Sequence, residues 1–225
     1  MKAMSIDETG TRFRLIYQGM EAPCSTRLIG RHNVFNCLAA AGACLALGVD
    51  LPTVADALAA VDRIPGRLEL VEAPGNCRVF VDYAHTDDAL DNVLRALQPL
   101  KCGRIILVFG CGGDRDRTKR PRMAHVAEAL ADRIVITSDN PRSEDPLDII
   151  ADITAGFSAA GRQKAEIAPD RRMAIALAIE QARDGDVVLI AGKGHETYQI
   201  VGRERIEFDD RLVAAECIRR RGGGA

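Results

Sequence analysis

The sequence lacks an excess of either charge, long hydrophobic runs and a signal-peptide core. Its 225 residues carry a formal net charge of −2, so the electrostatic attraction behind bulk nucleic-acid binding is not expected. No apolar stretch approaches the roughly 18 residues that a transmembrane helix requires. The first residues contain no apolar segment of the secretory type. We therefore expect a cytoplasmic protein that binds neither nucleic acid nor membranes.

Paired cysteine motifs are also missing. The seven cysteines are odd in number, none belongs to a C-x-x-C pair, and several lie in apolar runs. These features predict reduced core cysteines rather than a disulfide framework. Cys111 lies in a glycine-rich loop, where a nucleophile and a small residue packed in a crowded turn are both possible. No metal site is predicted in this chain.

The second part of the chain has the pattern of an α/β protein. Apolar runs at 77–82, 104–109, 133–136 and 186–191 have the length of buried strands and alternate with helical patterns. Helices are predicted at 85–100, 121–131 and 145–161 and after Asp170, and residues 219–224 are predicted to form a frayed tail. This alternation predicts a Rossmann-like, mostly parallel sheet with helices on both faces.

The first 64 residues follow a different pattern. Strands are predicted at 11–17 and 24–29 around a turn at Gln18-Gly19, and helices at 33–47 and 53–61. Two strands and two helices make a small core for an independent domain. We therefore predict that residues 1–64 are the end of a larger α/β domain and that residues 65–225 form a second domain, with a hinge at Ile64-Pro65-Gly66.

Each of the four predicted strands leads into a loop of glycine, charged residues or histidine. In a parallel sheet these loops meet at one edge, where α/β proteins bind small ligands. Asp139, Asn140 and Arg142 form a turn after the third strand, because the Asn-Pro step disfavours helix. A guanidinium can grip a carboxylate or a phosphate with two hydrogen bonds, although a solvated surface arginine is an equally ordinary reading.

Seven short motifs, taken in order, resemble the C-terminal half of the Mur ligases, most closely the members that add meso-diaminopimelate. Singly they are weak, but their order and spacing are specific. The one small departure is Asp87, where the family usually has proline. The motifs are LIGRHNV at 28–34, PGRLE at 65–69, VDYAHT at 81–86, FGCGGDRD at 109–116, KRP at 119–121, DNPR at 139–142 and GKGHETYQ at 192–199.

The resemblance implies an ATP- and Mg²⁺-dependent ligase of peptidoglycan precursor synthesis, and so a role in cell-wall biogenesis, cell shape and division. Such an enzyme joins diaminopimelate to UDP-MurNAc-L-Ala-D-Glu through an acyl phosphate. The family's phosphate loop, G-x-x-x-x-G-K-[ST], does not occur in this sequence. On this resemblance residues 1–64 are the end of the central ATPase domain, and the UDP-binding domain is absent. The chain is then expected to be inactive alone, whether it is a fragment, a shortened gene product or a subunit that pairs with a separate N-terminal half.

The resemblance also implies roles for individual residues. Arg142 favours diaminopimelate, since lysine-adding relatives usually lack an arginine in this turn. No general base can be named. The residues implied for diaminopimelate are Arg115, Asp139, Asn140, Pro141, Arg142, Gly192 and Glu196. Those implied for ATP are Asn33, Arg67, Asp82, His85 and Lys193. Each of three ATP assignments has a structural alternative. Arg67 could be a surface side chain, and His85 and Asn33 could be helix-capping side chains.

Two other functions remain open on the sequence. A nucleotide-dependent oxidoreductase would share the strand, glycine loop and helix, but the loop is G-x-G-G rather than G-x-G-x-x-G, and no acidic residue ends the next strand. A non-catalytic module that binds an amino acid or a partner protein would have the same loops. Tight NAD(H) binding would favour the first, and amino-acid binding without turnover the second.

Overall fold

The computed structural model of the chain describes residues 2–7, 9–71 and 77–222. The chain divides into two units, Met1–Ile64 and Pro65–Ala225, and each is described by itself. None of the helices in these described ranges is long and apolar enough to cross a membrane.

The first unit is an antiparallel sheet covered by two helices. Its strands are β1 (Lys2–Asp7), β2 (Gly10–Tyr17) and β3 (Met20–Thr26), in the order β1-β2-β3. Its helices are α1 (Arg31–Ala46) and α2 (Leu51–Ala60). Gln18 and Gly19 both have positive φ, as a two-residue hairpin turn requires, so the predicted turn is confirmed. β1 was not predicted from the sequence.

Helix α1 is apolar on more than one side. Val34, Cys37 and Ala41 pack in the core of the first unit. On another side of the helix Phe35 is 53% exposed. Leu47, the residue that follows the helix, is 85% exposed. No charged residue lies between His32 and the end of α1. Helices that are apolar all round normally pack on several sides, and α1 does not do so in this unit.

The second unit contains a six-stranded sheet. Its strands are β4 (Glu69–Val71), β5 (Arg78–Asp82), β6 (Ile105–Phe109), β7 (Arg133–Ile136), β8 (Ala165–Ile167) and β9 (Val187–Ala191). Their order across the sheet is β4-β5-β9-β6-β7-β8. β4 is antiparallel to β5, and the other pairs are parallel. The mostly parallel α/β fold predicted from the sequence is therefore confirmed, with an unpredicted antiparallel edge strand, β4.

Helices follow the strands and cover the sheet. They are α3 (Asp87–Leu97), α4 (Lys119–Leu130), α5 (Pro146–Thr154), α6 (Ala159–Lys164), α7 (Arg171–Gln181) and α8 (Asp210–Gly222), and a 3₁₀ turn, Gln98–Leu100, extends α3. Residues of α7 and α8 share one core with Val79 and Val108 of the sheet. The alternate residues Phe80 and Leu107 are equally buried, which requires a layer on the opposite face, and α3, α4 and α5 remain to supply it.

The predicted helix starts are confirmed at three capping residues. Thr86, Asp145 and Asp170 each accept a hydrogen bond from a backbone N–H of the first turn of the following helix. The prediction of one helix from Asp145 to Gly161 is wrong. α5 ends at Thr154, and α6 begins after Ser158, whose side chain accepts from the N–H of Gly161.

The last described part of the chain contains structure that the sequence did not predict. A hairpin of β10 (Tyr198–Val201) and β11 (Glu204–Glu207) precedes α8. The expected frayed tail is wrong for the arginines 219–221, which belong to α8. Arg221 donates to the backbone carbonyls of Ile179 and Ala182, so the end of α7 satisfies its guanidinium. Residues 223 and 224 of that tail lie outside the described residues.

Two loops at the carboxyl edge of the sheet are fastened to each other. The N–H of Gly113, after β6, donates to the carbonyl of Asn140, after β7, at 2.9 Å. Ser143 donates to the carboxylate of Asp114 at 2.7 Å. Gly113 allows this contact because a Cβ there would lie 1.9 Å from the carbonyl oxygen of Pro141.

Buried Arg120 of α4 strengthens this connection. Its guanidinium donates to both carboxylate oxygens of Glu144, at 2.9 and 2.8 Å, and to Asp152 at 2.8 Å. Glu144 also accepts the N–H of Asp114 at 2.6 Å. These hydrogen bonds, first those from Arg120 and then the one from Asp114, lower the pKa of Glu144 from 4.5 to about 2.

We predict that Glu144 makes stability depend on pH in acid. A carboxylate whose pKa is lowered in the folded state stabilises that state above pH 4.5, and the contribution disappears as the pH falls towards about 2. Glu144→Gln should therefore lower the free energy of unfolding at neutral pH and flatten its dependence on pH in this window. Urea unfolding at several pH values measures this. The control is Glu204→Gln, at an exposed position of β11, and equal effects of the two substitutions would contradict the prediction.

We predict that the second unit is protected more strongly from hydrogen exchange than the first. The second unit has a central sheet whose strands β5, β6 and β9 are almost wholly buried, whereas the first leaves much of α1 exposed. Hydrogen exchange followed by mass spectrometry should find the slowest amides in these three strands. Equal protection of the cores of both units would count against the prediction.

Candidate functional site

Four loops meet at one edge of the six-stranded sheet. They follow β5, β9, β6 and β7, which are neighbouring parallel strands, so their carboxyl ends share an edge. The loops comprise residues 83–86, 192–197, 110–118 and 137–145. The structure therefore brings together the four segments that the sequence pattern singled out.

The centre of this edge is the buried ammonium group of Lys193. Its Nζ donates to Asn140 Oδ1 and to Glu196 Oε2, both at 3.2 Å. It also lies 3.5 Å from Asp139 Oδ1 and 5.7 Å from the ring centre of Tyr198. Lys193 was predicted to contact ATP, but its neighbours belong to the set predicted for diaminopimelate.

Asp139 has an acceptor that is not fully used. The residue is 6% exposed, and Oδ1 accepts no hydrogen bond from the described residues. Gly192 lies next to this carboxylate, since a Cβ on Gly192 would be 3.0 Å from Asp139 Oδ2. Buried carboxylate oxygens usually have donors, so this oxygen is suited to a donor that arrives with a ligand.

Asn140 and Arg142 are fixed by the hairpin that follows Lys193. Asn140 Oδ1 accepts the N–H of Ile200 at 2.9 Å, and Asn140 Nδ2 donates to Glu196 at 2.9 Å. The N–H of Arg142 donates to the carbonyl of Ile200 at 3.0 Å. Gln199 donates to the carbonyl of Asp139 at 2.8 Å. Sequence analysis missed this hairpin, although Gly202 marks the turn between its short strands.

Arg115 and Arg142, the two arginines predicted to bind diaminopimelate, both lie next to Gly112. A Cβ on Gly112 would lie 2.9 Å from Arg142 Nη1 and 3.8 Å from Arg115 Cγ. Arg142 has the left-handed backbone φ of 52°, and its Nη1 donates to the carbonyl of Gly113 at 2.8 Å. Arg115 is exposed and donates to the carbonyl of Asp114 at 2.9 Å. Pro141 is buried in the turn between Asn140 and Arg142.

Asp82 and Asn33, both predicted to contact ATP, have structural partners. Asp82 Oδ2 accepts the N–H of Leu68 at 2.7 Å, and Oδ1 accepts the N–H of Ala84 at 2.7 Å. Asn33 lies in the first unit, where its side chain donates to the carbonyl of Ile29 at 2.9 Å. Asn33 lies within α1 rather than at its N-cap, which is Gly30. Contact of either residue with ATP stays a prediction.

Arg67 and His85, the other residues predicted for ATP, surround Tyr83 together with His195. The guanidinium of Arg67 lies 5.2 Å from the ring centre of Tyr83. The rings of His85 and His195 lie 4.6 and 5.1 Å from it. His85 Nδ1 lies 2.8 Å from the carbonyl oxygen of Tyr83, so His85 does not cap α3. Thr86 supplies that cap.

Sequence analysis also missed Arg171 and Asp210. Both side chains are 0% exposed, and the guanidinium donates to the two carboxylate oxygens at 2.8 and 2.7 Å. Burial disfavours the charge of Arg171, but Asp210 and then Asp139 offset this and raise its pKa. No spacing in the sequence indicates this pair, since the two residues are far apart along the chain.

Cys111 is a packing residue in this structure. Burial raises the pKa of its thiol to about 12, so the reactive thiolate is scarce near neutral pH. Its Sγ lies 3.6 Å from the sulfur of Met123. These observations favour the structural interpretation of Cys111 over the nucleophile.

Comparisons with known proteins identify the family of the chain. The family described as "Mur ligase, glutamate ligase domain" matches residues 66–194, which is more than half of the chain. UDP-N-acetylmuramoyl-L-alanyl-D-glutamate--2,6-diaminopimelate ligase of Geobacillus kaustophilus is 54% identical over 213 residues, covering 95% of this chain and 43% of that protein. The protein of the same name from Synechococcus sp. WH7803 is 53% identical over 197 residues, covering 85% and 39%.

Solved structures of related proteins have the same fold. The structure of a UDP-N-acetylmuramoyl-L-alanyl-D-glutamate--2,6-diaminopimelate ligase superposes with a TM-score of 0.71 at 39% identity, covering 98% of this chain and 45% of that one. Folylpolyglutamate synthase of Mycobacterium tuberculosis superposes with a TM-score of 0.70 at 22% identity, covering 100% and 47%, which indicates a shared fold alone. The chain spans less than half the length of the curated relatives it matches. The chain belongs to the Mur ligase family, whose glutamate ligase domain it carries.

Proposed function

We propose that this chain is the amino-acid-binding part of an ATP-dependent ligase that adds meso-diaminopimelate to UDP-MurNAc-L-Ala-D-Glu. The names of the most similar relatives support this reaction. Those relatives are more than twice as long as the matched region, so the reaction is proposed for the chain together with the remaining polypeptide. No observation favours the oxidoreductase or the purely binding module over this reaction.

The observation that carries the proposal is the charge arrangement around Lys193. Asp139 and Glu196 supply two carboxylates, and Lys193 supplies one buried ammonium group within reach of both. One negative charge is left over, and Asp139 Oδ1 has no hydrogen-bond donor among the described residues. This favours a ligand that brings an ammonium group, because a buried carboxylate is stabilised by a paired cation.

The opposite charge lies on two arginines, Arg142 on the same loop as Asp139 and Arg115 on the loop after β6. Arg142 and Arg115 approach each other beside Gly112, on the same sheet edge as Asp139. A ligand carrying both ammonium and carboxylate groups matches an edge with both kinds of site. Diaminopimelate has two of each group, and its distal carboxylate distinguishes it from lysine. Asn140 and Pro141 then hold the turn in place, while Gly192 leaves space beside Asp139.

We assign the nucleotide chemistry mainly to polypeptide outside this chain. The described residues include no group of three or more His, Cys, Asp or Glu side chains that could hold a metal ion. The oxygens of Asp82 already accept backbone N–H groups. Arg67, His85 and Lys193 remain proposed ATP contacts in the whole enzyme, and no step is derived through them.

We also propose that residues 1–64 are the end of a larger ATPase domain. The exposed apolar surface of α1 supports this, because Phe35 and Leu47 lack the packing that such residues usually have. The short sheet of this unit supports it as well.

We predict that Arg142 determines binding of the distal carboxylate. Losing one partner of a buried charge pair costs about 2–5 kcal/mol, which at about 1.4 kcal/mol per tenfold is a loss of roughly 30-fold or more. Arg142→Ala should weaken diaminopimelate binding to this extent, and Arg142→Lys should restore it only in part, since an ammonium group lacks the planar fork. Isothermal titration of the chain with diaminopimelate and with lysine measures both effects.

The control for this experiment is Arg162→Ala, at an exposed position on α6. Comparing Arg142→Ala with Arg142→Lys separates the effect of charge from that of backbone strain. Alanine and lysine must both adopt the left-handed φ of residue 142, so a difference in affinity between the two variants comes from the side chain. Equal affinity of the wild-type chain for diaminopimelate and lysine would contradict the assignment of Arg142.

We predict that the isolated chain does not hydrolyse ATP or form the ligated product. The sequence contains no G-x-x-x-x-G-K-[ST] loop, whose N–H groups and lysine hold the transferred phosphates. The assay combines the purified chain with ATP, magnesium and both substrates, with a full-length relative as the positive control. Product formation by the chain alone would refute this expectation.

A further inference from the structure

The guanidinium of Arg171 connects two loops that no strand pairing connects. It donates to the carbonyl of Ser138 at 3.3 Å, through Nη1, and to the carbonyl of Ala191 at 3.0 Å, through Nη2. Ser138 lies in the loop after β7, and Ala191 ends β9. These strands are not neighbours, because β6 lies between them in the sheet.

The two carbonyls belong to the residues just before the candidate ligand-binding residues. Ser138 precedes Asp139, and Ala191 precedes Gly192. A Cβ on Gly192 would lie 3.0 Å from Asp139 Oδ2 and 3.9 Å from Arg171 Nη2, so the three residues converge. The planar side chain of Arg171 therefore helps to set the separation of the two loops at this point, beside the hydrogen bonds that Asn140 makes with Lys193 and Glu196.

Asp210 holds that side chain in orientation. It occupies two donors of the guanidinium through both carboxylate oxygens, at 2.8 and 2.7 Å, and lies at the start of α8. Because both side chains are 0% exposed, solvent does not compete for these hydrogen bonds. The pair is neutral as a whole, so its effect on the site comes from geometry more than from added charge.

We propose that Arg171 is a positioning residue for the amino-acid substrate, with Asp210 orienting it and so joining α8 to the binding loops. The inference rests on the proposed function, because it concerns the site that would hold diaminopimelate. Arg171 sets the distance between Asp139 and Gly192 by binding the carbonyls that precede them.

The molecule offers a matched control at the opposite edge of the same sheet. Arg104 donates to Asp186 Oδ2 through two nitrogens, at 3.1 and 2.6 Å, and to the carbonyl of Gln181 at 2.8 Å. These residues precede β6 and β9 rather than following them. Arg104→Lys thus breaks a similar arginine fork far from the four binding loops.

The experiment compares Arg171→Lys, Asp210→Asn and Arg104→Lys in the 225-residue chain. Lysine keeps the charge of Arg171 but cannot reach Asp210 and two carbonyls in one plane. Amide exchange measured by NMR reports on the N–H groups of Ser138 and Gly192, which donate to the carbonyls of Pro169 and Asp82. Isothermal titration with meso-diaminopimelate reports on the site itself.

We expect exchange at Ser138 and Gly192 to rise by at least about tenfold in Arg171→Lys, since a hydrogen bond from a charged group is lost. Asp210→Asn should have a smaller effect at the same amides. The affinity for diaminopimelate should fall by a similar factor in Arg171→Lys and stay unchanged in Arg104→Lys. Arg104→Lys should instead speed exchange of the Val187 amide, whose N–H donates to the carbonyl of residue 104.

Several outcomes would overturn the inference. Unchanged exchange at Ser138 and Gly192 in Arg171→Lys would do so, as would equal loss of affinity in Arg171→Lys and Arg104→Lys. If Arg171→Lys and Asp210→Asn fail to fold while Arg104→Lys folds, the pair is a requirement of the fold and not a positioning device. If the wild-type chain binds no diaminopimelate, the proposed function fails, and the exchange rates alone decide whether Arg171 sets the loops.

Discussion

The candidate site depends on the ion pairs that the buried ammonium group of Lys193 makes with Asp139 and Glu196. Two carboxylates, from Asp139 and Glu196, lie on loops that follow different strands, and without a cation between them they would repel each other in a poorly solvated place. Lys193 joins them, and Asn140 completes the group by bonding to both Lys193 and Glu196. The edge that carries the candidate site is thus organised by charges that the protein supplies itself.

The parallel sheet explains why these groups can meet at all. Residues that are distant in sequence reach one edge because β5, β9, β6 and β7 point the same way. The strands themselves are apolar and buried, so the polar loops stand on a tightly packed sheet. The sheet already brings the loops close together. Single hydrogen bonds of about 3 Å are therefore long enough to hold one loop against the next.

The sequence predicted the parts of the molecule that follow from local pattern. Apolar runs located the four central strands, and capping residues such as Thr86 and Asp170 located helix starts. The hairpin before α8 was missed because its strands have four residues each and neither contains a buried residue. Arg171 and Asp210 were missed for another reason: a buried pair 39 positions apart has no periodic signal. The roles of the predicted site residues rest on resemblance, since ligand contacts follow from loop geometry that a single sequence does not encode locally.

Gly113 has a consequence for how a ligand is received. Because any side chain there would strike the carbonyl of Pro141, the backbones of the two loops already touch at the distance that van der Waals contact allows. The space beside Arg142 is therefore shaped before a ligand arrives. Under the proposed function, the free energy of binding then does not have to include the cost of bringing these two backbone segments together.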